Sequence, residues 1–147
     1  MYSREQDMMF DFHRTPTYQI IEGGEEFGRI TAMKHDVVAG WSTRRAAPGF
    51  MPDSVDKKGK VDQFSTNGSD HWYDMPNHQV RSIPNDLSDK ALPVGFLRAV
   101  APGWTFWAVE SYMDEMAKKA GRDPLAFRLD HLTAQGKNAG TPPNTVG

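Results

Sequence analysis

The chain has 147 residues, 38% of them hydrophobic and 24% charged, with a formal net charge of −2 and no cysteine. That length suits one domain with a modest core, and a mean hydropathy of −0.63 suits a piece that leans on neighbouring chain. The charge gives no electrostatic case for nucleic acid or anionic membranes, and the lack of cysteine excludes disulfides, cysteine–zinc sites and iron–sulfur clusters held by this segment.

Ser3 and Gln6 stand in capping-box spacing and predict a short helical turn within residues 3–13. Tyr18–Ile21 reads as a strand, Gly23, Gly24 and Gly28 punctuate a polar link, and Ile30 to Val38 returns as a second strand. The two predict a β-hairpin. Residues 40–70 hold prolines and glycines with few periodic apolar positions, a long irregular stretch of the kind that is functional or docked on other chain. Residues 71–84 and 93–100 read as further extended segments, separated by a polar loop from Asn85 to Lys90.

The last third is helical. Val109, Met113, Met116, Ala117 and Ala120 form one apolar stripe. Asp114–Lys118 and Glu115–Lys119 fall at i,i+4 on another face. Gly121 is placed as a helix stop, and Asp123-Pro124 opens a second helix with a cap and a proline at its first position. Leu125, Leu129 and Leu132 continue an apolar face, and the tail from Lys137 reads as loop. The fold class is therefore α+β: a β-hairpin and additional strands with a long irregular loop, followed by two C-terminal helices. No apolar run approaches the ~20 residues that span a bilayer, and the N-terminus lacks a signal-peptide core.

Between strands and helices lies the most informative stretch, Val94-Gly95-Phe96-Leu97-Arg98-Ala99-Val100-Ala101-Pro102-Gly103. Apolar residues deliver one arginine to a sharp turn, and a helix begins immediately after. A fixed cation beside the N–H groups of a helix N-terminus is a common way to hold an anion. Taken alone, an ordinary strand-end arginine paired with a surface carboxylate explains Arg98 better, and only a family resemblance reverses that preference.

Arg4-Glu5-Gln6-Asp7-Met8, Arg14-Thr15-Pro16 followed by Gly28-Arg29-Ile30-Thr31-Ala32, and Tyr73-Asp74-Met75-Pro76-Asn77 recur in this order in a known family. So do Leu97-Arg98-Ala99-Val100, Glu110-Ser111 with Asp114-Glu115, Gly121-Arg122-Asp123-Pro124 through Phe127-Arg128, and Asn138 through Asn144. Together they resemble the molybdopterin-binding large subunit of the xanthine dehydrogenase/aldehyde oxidase family, in its isoquinoline 1-oxidoreductase beta-subunit branch. The resemblance implies an interior slice of a larger subunit. Residues 1–147 would form a partial molybdopterin-binding domain, with strands and loop over about 14–100 and helices over about 104–134.

By that resemblance the intact enzyme is a molybdenum hydroxylase. It would oxidise an N-heteroaromatic or aldehyde substrate with water-derived oxygen, using a molybdopterin-type molybdenum cofactor. Its partners would be a small two-cluster iron–sulfur subunit and, optionally, a cytochrome electron acceptor. The family's catalytic glutamate lies outside this chain, so no residue here takes that role and the slice alone is expected to be inactive. The bacterial periplasm and cytoplasm both stay open as its location. A non-catalytic interaction or structural domain derived from the same family is the competing reading.

The resemblance puts Arg98 at the cofactor, where a permanent cation holds anionic oxygens in fixed geometry. Leu97, Ala99 and Val100 follow as backbone or wall around it. Counting back from Pro76-Asn77 puts Phe64 where purine-oxidising relatives carry a substrate-orienting arginine. A phenylalanine stacks on an aromatic or apolar substrate but cannot hydrogen-bond a purine carbonyl. Simple packing under the loop explains Phe64 equally. His13, His35, His71, His78 and His131 lack metal-binding spacing.

Overall fold

The computed structural model describes residues 14–133 apart from Pro93; the helical turn expected at residues 3–13 and the loop expected from Lys137 lie outside the described residues. Strands β1 (Thr17–Glu26) and β2 (Arg29–Ala39) form the expected hairpin, with Tyr18 opposite Val38 and Ile21 opposite His35. Phe27 and Gly28 close it with φ of 53° and 76°, positive at both positions as a two-residue type I′ turn requires.

The polar link predicted around Gly23 and Gly24 is instead part of β1, with a bulge between Gly24 and Glu25. A Cβ on Gly23 would fall 1.7 Å from the Tyr112 hydroxyl, so the glycine there serves close packing of a helix on the sheet.

Strand β3 (Asn77–Pro84) lies parallel to β2, giving the order β1-β2-β3. The crossover carries helix α1 (Ser42–Ala46) and single 3₁₀ turns at Pro48–Phe50 and Gln63–Ser65. The sequence predicts a long irregular stretch that is functional or docked on other chain. The structure buries Ser42, Thr43, Asp62, Ser65, Thr66 and Asp70 within this chain itself. Asp62 is the anchor: its carboxylate accepts from Thr43 N–H at 2.9 Å, Thr43 Oγ1 at 2.6 Å and Phe64 N–H at 3.0 Å.

Where a polar loop was expected, helix α2 runs from Asp86 to Ala91, because the Asn85 side chain caps it by accepting from Ser88 N–H. Residues 94–100 are not a strand. They form an irregular segment whose Ala99 and Val100 take φ of 69° and 41°, values no strand tolerates.

Helix α3 (Pro102–Lys119) lays Val109, Met113, Met116 and Ala117 onto Ile30, Met33, Tyr73 and Phe127. A second cluster joins Val37 and Ala39 of β2 to Ala101 and Trp104, with Val100 packed against it. Gly121 stops α3 at φ 66°, with Arg122 N–H bonded to Ala117 O at 2.9 Å, an overlapping-turn cap. Helix α4 (Pro124–Asp130) starts as expected, with the Asp123 carboxylate accepting from Ala126 N–H.

Two side-chain expectations change. Asp114 pairs with Arg128 at 2.7 Å rather than with Lys118. Leu125, Leu129 and Leu132 stay 64%, 60% and 46% exposed, while Phe127 alone carries the burial of α4. Among the described residues no helix is long and apolar enough to cross a membrane.

Candidate functional site

The segment before α3 is a turn, not a strand end. Val100 N–H donates to Leu97 O at 2.8 Å, which puts Arg98 and Ala99 at the tip. Ala99 at φ 69° occupies a position that ordinarily favours glycine, and Val100 at φ 41° is rarer still for a β-branched residue. Each such residue is disfavoured by about 1–2 kcal/mol, so surrounding contacts must hold the turn. Arg98 and Ala99 are exposed, Leu97 and Val100 are half-buried, and Ala101 is fully buried.

Those contacts come from three elements. Trp104 Nε1 donates to Ser65 O at 3.3 Å, Thr105 Oγ1 to Asn67 O at 2.7 Å, and Gln19 Nε2 to Trp104 O at 3.1 Å. The first turn of α3 is thereby tied to the loop carrying Phe64 and to β1. From β1's N-terminal side, Arg14 Nη2 donates to Arg98 O at 3.0 Å.

The result brings together two of the predicted positions. Phe64 and Val100 line one wholly apolar pocket of about 330 Å³ with Ala47, Phe50 and Phe96. Phe64 and Phe96 meet edge to face with ring centroids 5.8 Å apart. Larger hollows lie between β1 and α3, about 500 Å³, and between the 52–63 loop and β3, about 970 Å³. Neither touches Phe64 or residues 97–100.

The charge pattern at the turn is one-sided. The Arg98 guanidinium makes no hydrogen bond or ion pair among the described residues, the Arg14 guanidinium meets the Arg98 backbone carbonyl, and the first turn of α3 holds no acidic residue. The N–H groups of Gly103 and Trp104 already donate to the Val100 and Ala101 carbonyls. The open helix N–H groups expected from the sequence are therefore spent, and side-chain guanidinium is what can meet an anion.

Glu110 does not orient this turn. Its carboxylate accepts from Tyr73 Oη at 2.9 Å and Arg128 Nε at 2.8 Å. Burial and the Glu110 carboxylate push the Tyr73 phenol up to about 12, so it stays a neutral donor inside the scaffold. His131 is also scaffold: its Nε2 accepts from Ile30 N–H at 3.0 Å, leaving Nδ1 to donate to Phe127 O. His35 is fully buried, bonded through Nε2 to Gln19, and held down to about 4 by burial and then by neighbouring His78.

Sequence reasoning missed Arg14, Phe96 and Asp62 as parts of this arrangement. Arg14 and Arg98 are joined only by folding, and no local pattern announces their contact.

Residues 1–132 match the family model described as molybdopterin cofactor-binding domain. The chain is 44% identical over 146 residues to a protein of Gluconacetobacter polyoxogenes named membrane-bound aldehyde dehydrogenase (pyrroloquinoline-quinone), covering 99% of this chain and 19% of that protein. It is 25% identical to isoquinoline 1-oxidoreductase subunit beta of Brevundimonas diminuta, covering 95% of this chain and 17% of that one. The chain thus spans about a fifth of the length of these curated relatives. Its fold is similar to part of the aldehyde oxidoreductase from Desulfovibrio gigas, with a TM-score of 0.65, 20% identity, and coverage of 97% of this chain and 14% of that one.

Proposed function

Because this chain belongs to the molybdopterin cofactor-binding domain family, we propose that it supplies the Arg98 turn and one apolar wall to the active site of a molybdenum-dependent aldehyde or N-heteroaromatic oxidoreductase. The observation that carries this reading is the juxtaposition of Arg98, whose guanidinium has no partner among the described residues, with a carbon-lined pocket, joined through Val100.

The residues present fit an anionic cofactor. Two guanidinium groups stand at the turn without a carboxylate in the adjoining helical turn, and a planar, permanently charged fork is well matched to phosphate or oxo groups. Arg98 would hold the cofactor's anionic edge, and Leu97, Ala99 and Val100 would approach it with backbone and small or apolar side chains. When bound, the cofactor supplies two-electron oxidation of an electron-poor carbon with oxygen derived from water. This chain positions the cofactor and excludes water; it contributes no base.

Phe64, Phe96 and Phe50 offer only carbon to a substrate. Such a wall favours the flat or aliphatic body of an aldehyde or heteroaromatic over a purine with several polar edges. The words aldehyde dehydrogenase and aldehyde oxidoreductase in the names of two relatives lend weight to the aldehyde.

Exposed apolar residues favour a piece of a larger body over a self-standing interaction domain. Tyr18 and Ile20 on one sheet face, Trp107 on α3, and Leu125, Leu129 and Leu132 by α4 remain open, and grouped apolar exposure of this kind marks surfaces that other chain covers. Residues 1–147 accordingly form part of a molybdopterin-binding domain whose remainder covers them. A small iron–sulfur subunit, with or without a cytochrome, is the electron-accepting partner this reading assigns.

The quinone in the Gluconacetobacter relative's name marks the alternative cofactor. Metal and cofactor analysis of the full-length protein decides between them: molybdenum with a pterin supports the proposal, and a quinone without molybdenum overturns it.

A further inference from the structure

The Arg98 turn carries two consecutive left-handed residues, Ala99 and Val100, and neither is glycine. Something must select that geometry, and the hydrogen bond within the turn is not enough to impose it. Arg14 is the group in position to do so. Its Nη2 donates to the Arg98 carbonyl at 3.0 Å. Its guanidinium also lies against Gly103: a Cβ built there would fall 2.2 Å from Nη1, 3.1 Å from Cζ and 3.4 Å from Nη2.

Helix energetics do not explain this placement. A guanidinium at the N-terminus of α3 opposes the helix dipole, and no acidic side chain in the first turn offsets it. Nor does glycine at the second position of a helix help the helix, since alanine forms it better. Both choices make sense together. Gly103 leaves a flat surface, Arg14 lies on it, and the fork reaches past to the carbonyl of the residue whose side chain must point outward.

We infer that Arg14 is a positioning residue: it clamps the Arg98–Val100 turn onto the N-terminus of α3 through Gly103, and so holds Arg98 in its binding orientation. The inference rests on the reading of Arg98 as a cofactor contact, but the clamp itself is measurable without cofactor. Because Val100 lines the apolar pocket with Phe64 and Phe96, the clamp also fixes one wall of that pocket.

The test uses the full-length protein, prepared molybdenum-free and molybdenum-replete, with Arg14→Gln, Arg14→Lys and Gly103→Ala. Gly103→Ala displaces only the far end of a flexible side chain and leaves α3 a better helix, so its folding is not in question. In the molybdenum-free protein, amide exchange over residues 96–101 should speed about tenfold in Arg14→Gln and Gly103→Ala. Exchange in the interior of β2 should not change. Arg14→Lys should recover part of the protection, because an ammonium can still donate to the Arg98 carbonyl. In the replete protein, retained molybdenum should fall about tenfold with the same two variants.

Unchanged exchange at 96–101, or equal speeding throughout β2, overturns the clamp. If exchange responds locally but the wild-type protein carries no molybdenum, the clamp is upheld and the cofactor reading falls. If molybdenum is lost in Arg98→Ala yet held in Arg14→Gln with exchange unchanged, the cofactor reading stands and the clamp is overturned.

Discussion

The Asp62 carboxylate and the Phe64 backbone form a closed pair: Asp62, with no solvent exposure, accepts the Phe64 N–H at 3.0 Å and thereby sets the direction from which the phenyl ring enters the apolar pocket. The same carboxylate takes both the N–H and the hydroxyl of Thr43 at the start of α1. One buried side chain thus organises the crossover between β2 and β3. Asp62→Ala strands all these donors in the interior and should destabilise the protein by about 2–4 kcal/mol. Urea denaturation measures it; a loss under about 0.5 kcal/mol, the range of ordinary surface changes, would contradict that role.

Phe64→Ala removes a wall of the pocket while leaving Arg98 untouched. The expected effect is a fall in kcat/KM of about tenfold for an aromatic aldehyde and much less for a short aliphatic one. Equal losses for both substrates would mean that Phe64 packs the loop rather than contacts substrate.

How much of this was legible in the sequence divides by range. Hairpin, helix stripe and the Gly121 and Asp123-Pro124 punctuation were all readable, since each is a local pattern with a local cause. Helix α2 was not, because six residues with only Leu87 and Ala91 apolar are too few to show a period, and the Asn85 cap is the one local mark of a helix there. The strand expected at 94–100 failed for a related reason. Its apolar residues read as extended, but Ala99 and Val100 bend left-handed under tertiary contacts, Arg14 among them. The count back from Pro76-Asn77 singled out Phe64, whereas no pattern singled out Phe96, which meets it across the pocket.

Acid should loosen the fold through His35. Its ring is buried against Gln19 and lies near His78, and its folded value of about 4 is below the ordinary 6.5. Above pH 6.5 the ring is neutral in both states and no stability is lost. As pH falls from 6.5 towards 4 the unfolded chain takes up a proton that the folded chain refuses, removing roughly 3 kcal/mol in total. Asp36, whose carboxylate is held below its usual range by the hydrogen bond from Arg81, adds its loss only at lower pH. Urea midpoints between pH 7.5 and 4.5 should drop for the wild type and flatten in His35→Gln; parallel curves would contradict the assignment.

The leucines beside α4 test whether more chain covers this piece. Leu129→Gln should destabilise the full-length protein by about 1–3 kcal/mol if Leu125, Leu129 and Leu132 are buried there. Thermal unfolding reads the difference, and an unchanged midpoint would mean that the face stays in water.

The most direct measurement is molybdenum and pterin content per full-length chain, by mass spectrometry of the metal and fluorescence of the oxidised pterin, in wild type and Arg98→Ala. The account predicts about one of each in the wild type and a fall of at least about tenfold in the variant, which loses a charge-assisted contact while keeping its circular dichroism. Full molybdenum occupancy in Arg98→Ala, or a wild-type protein carrying a quinone and no molybdenum, would contradict it.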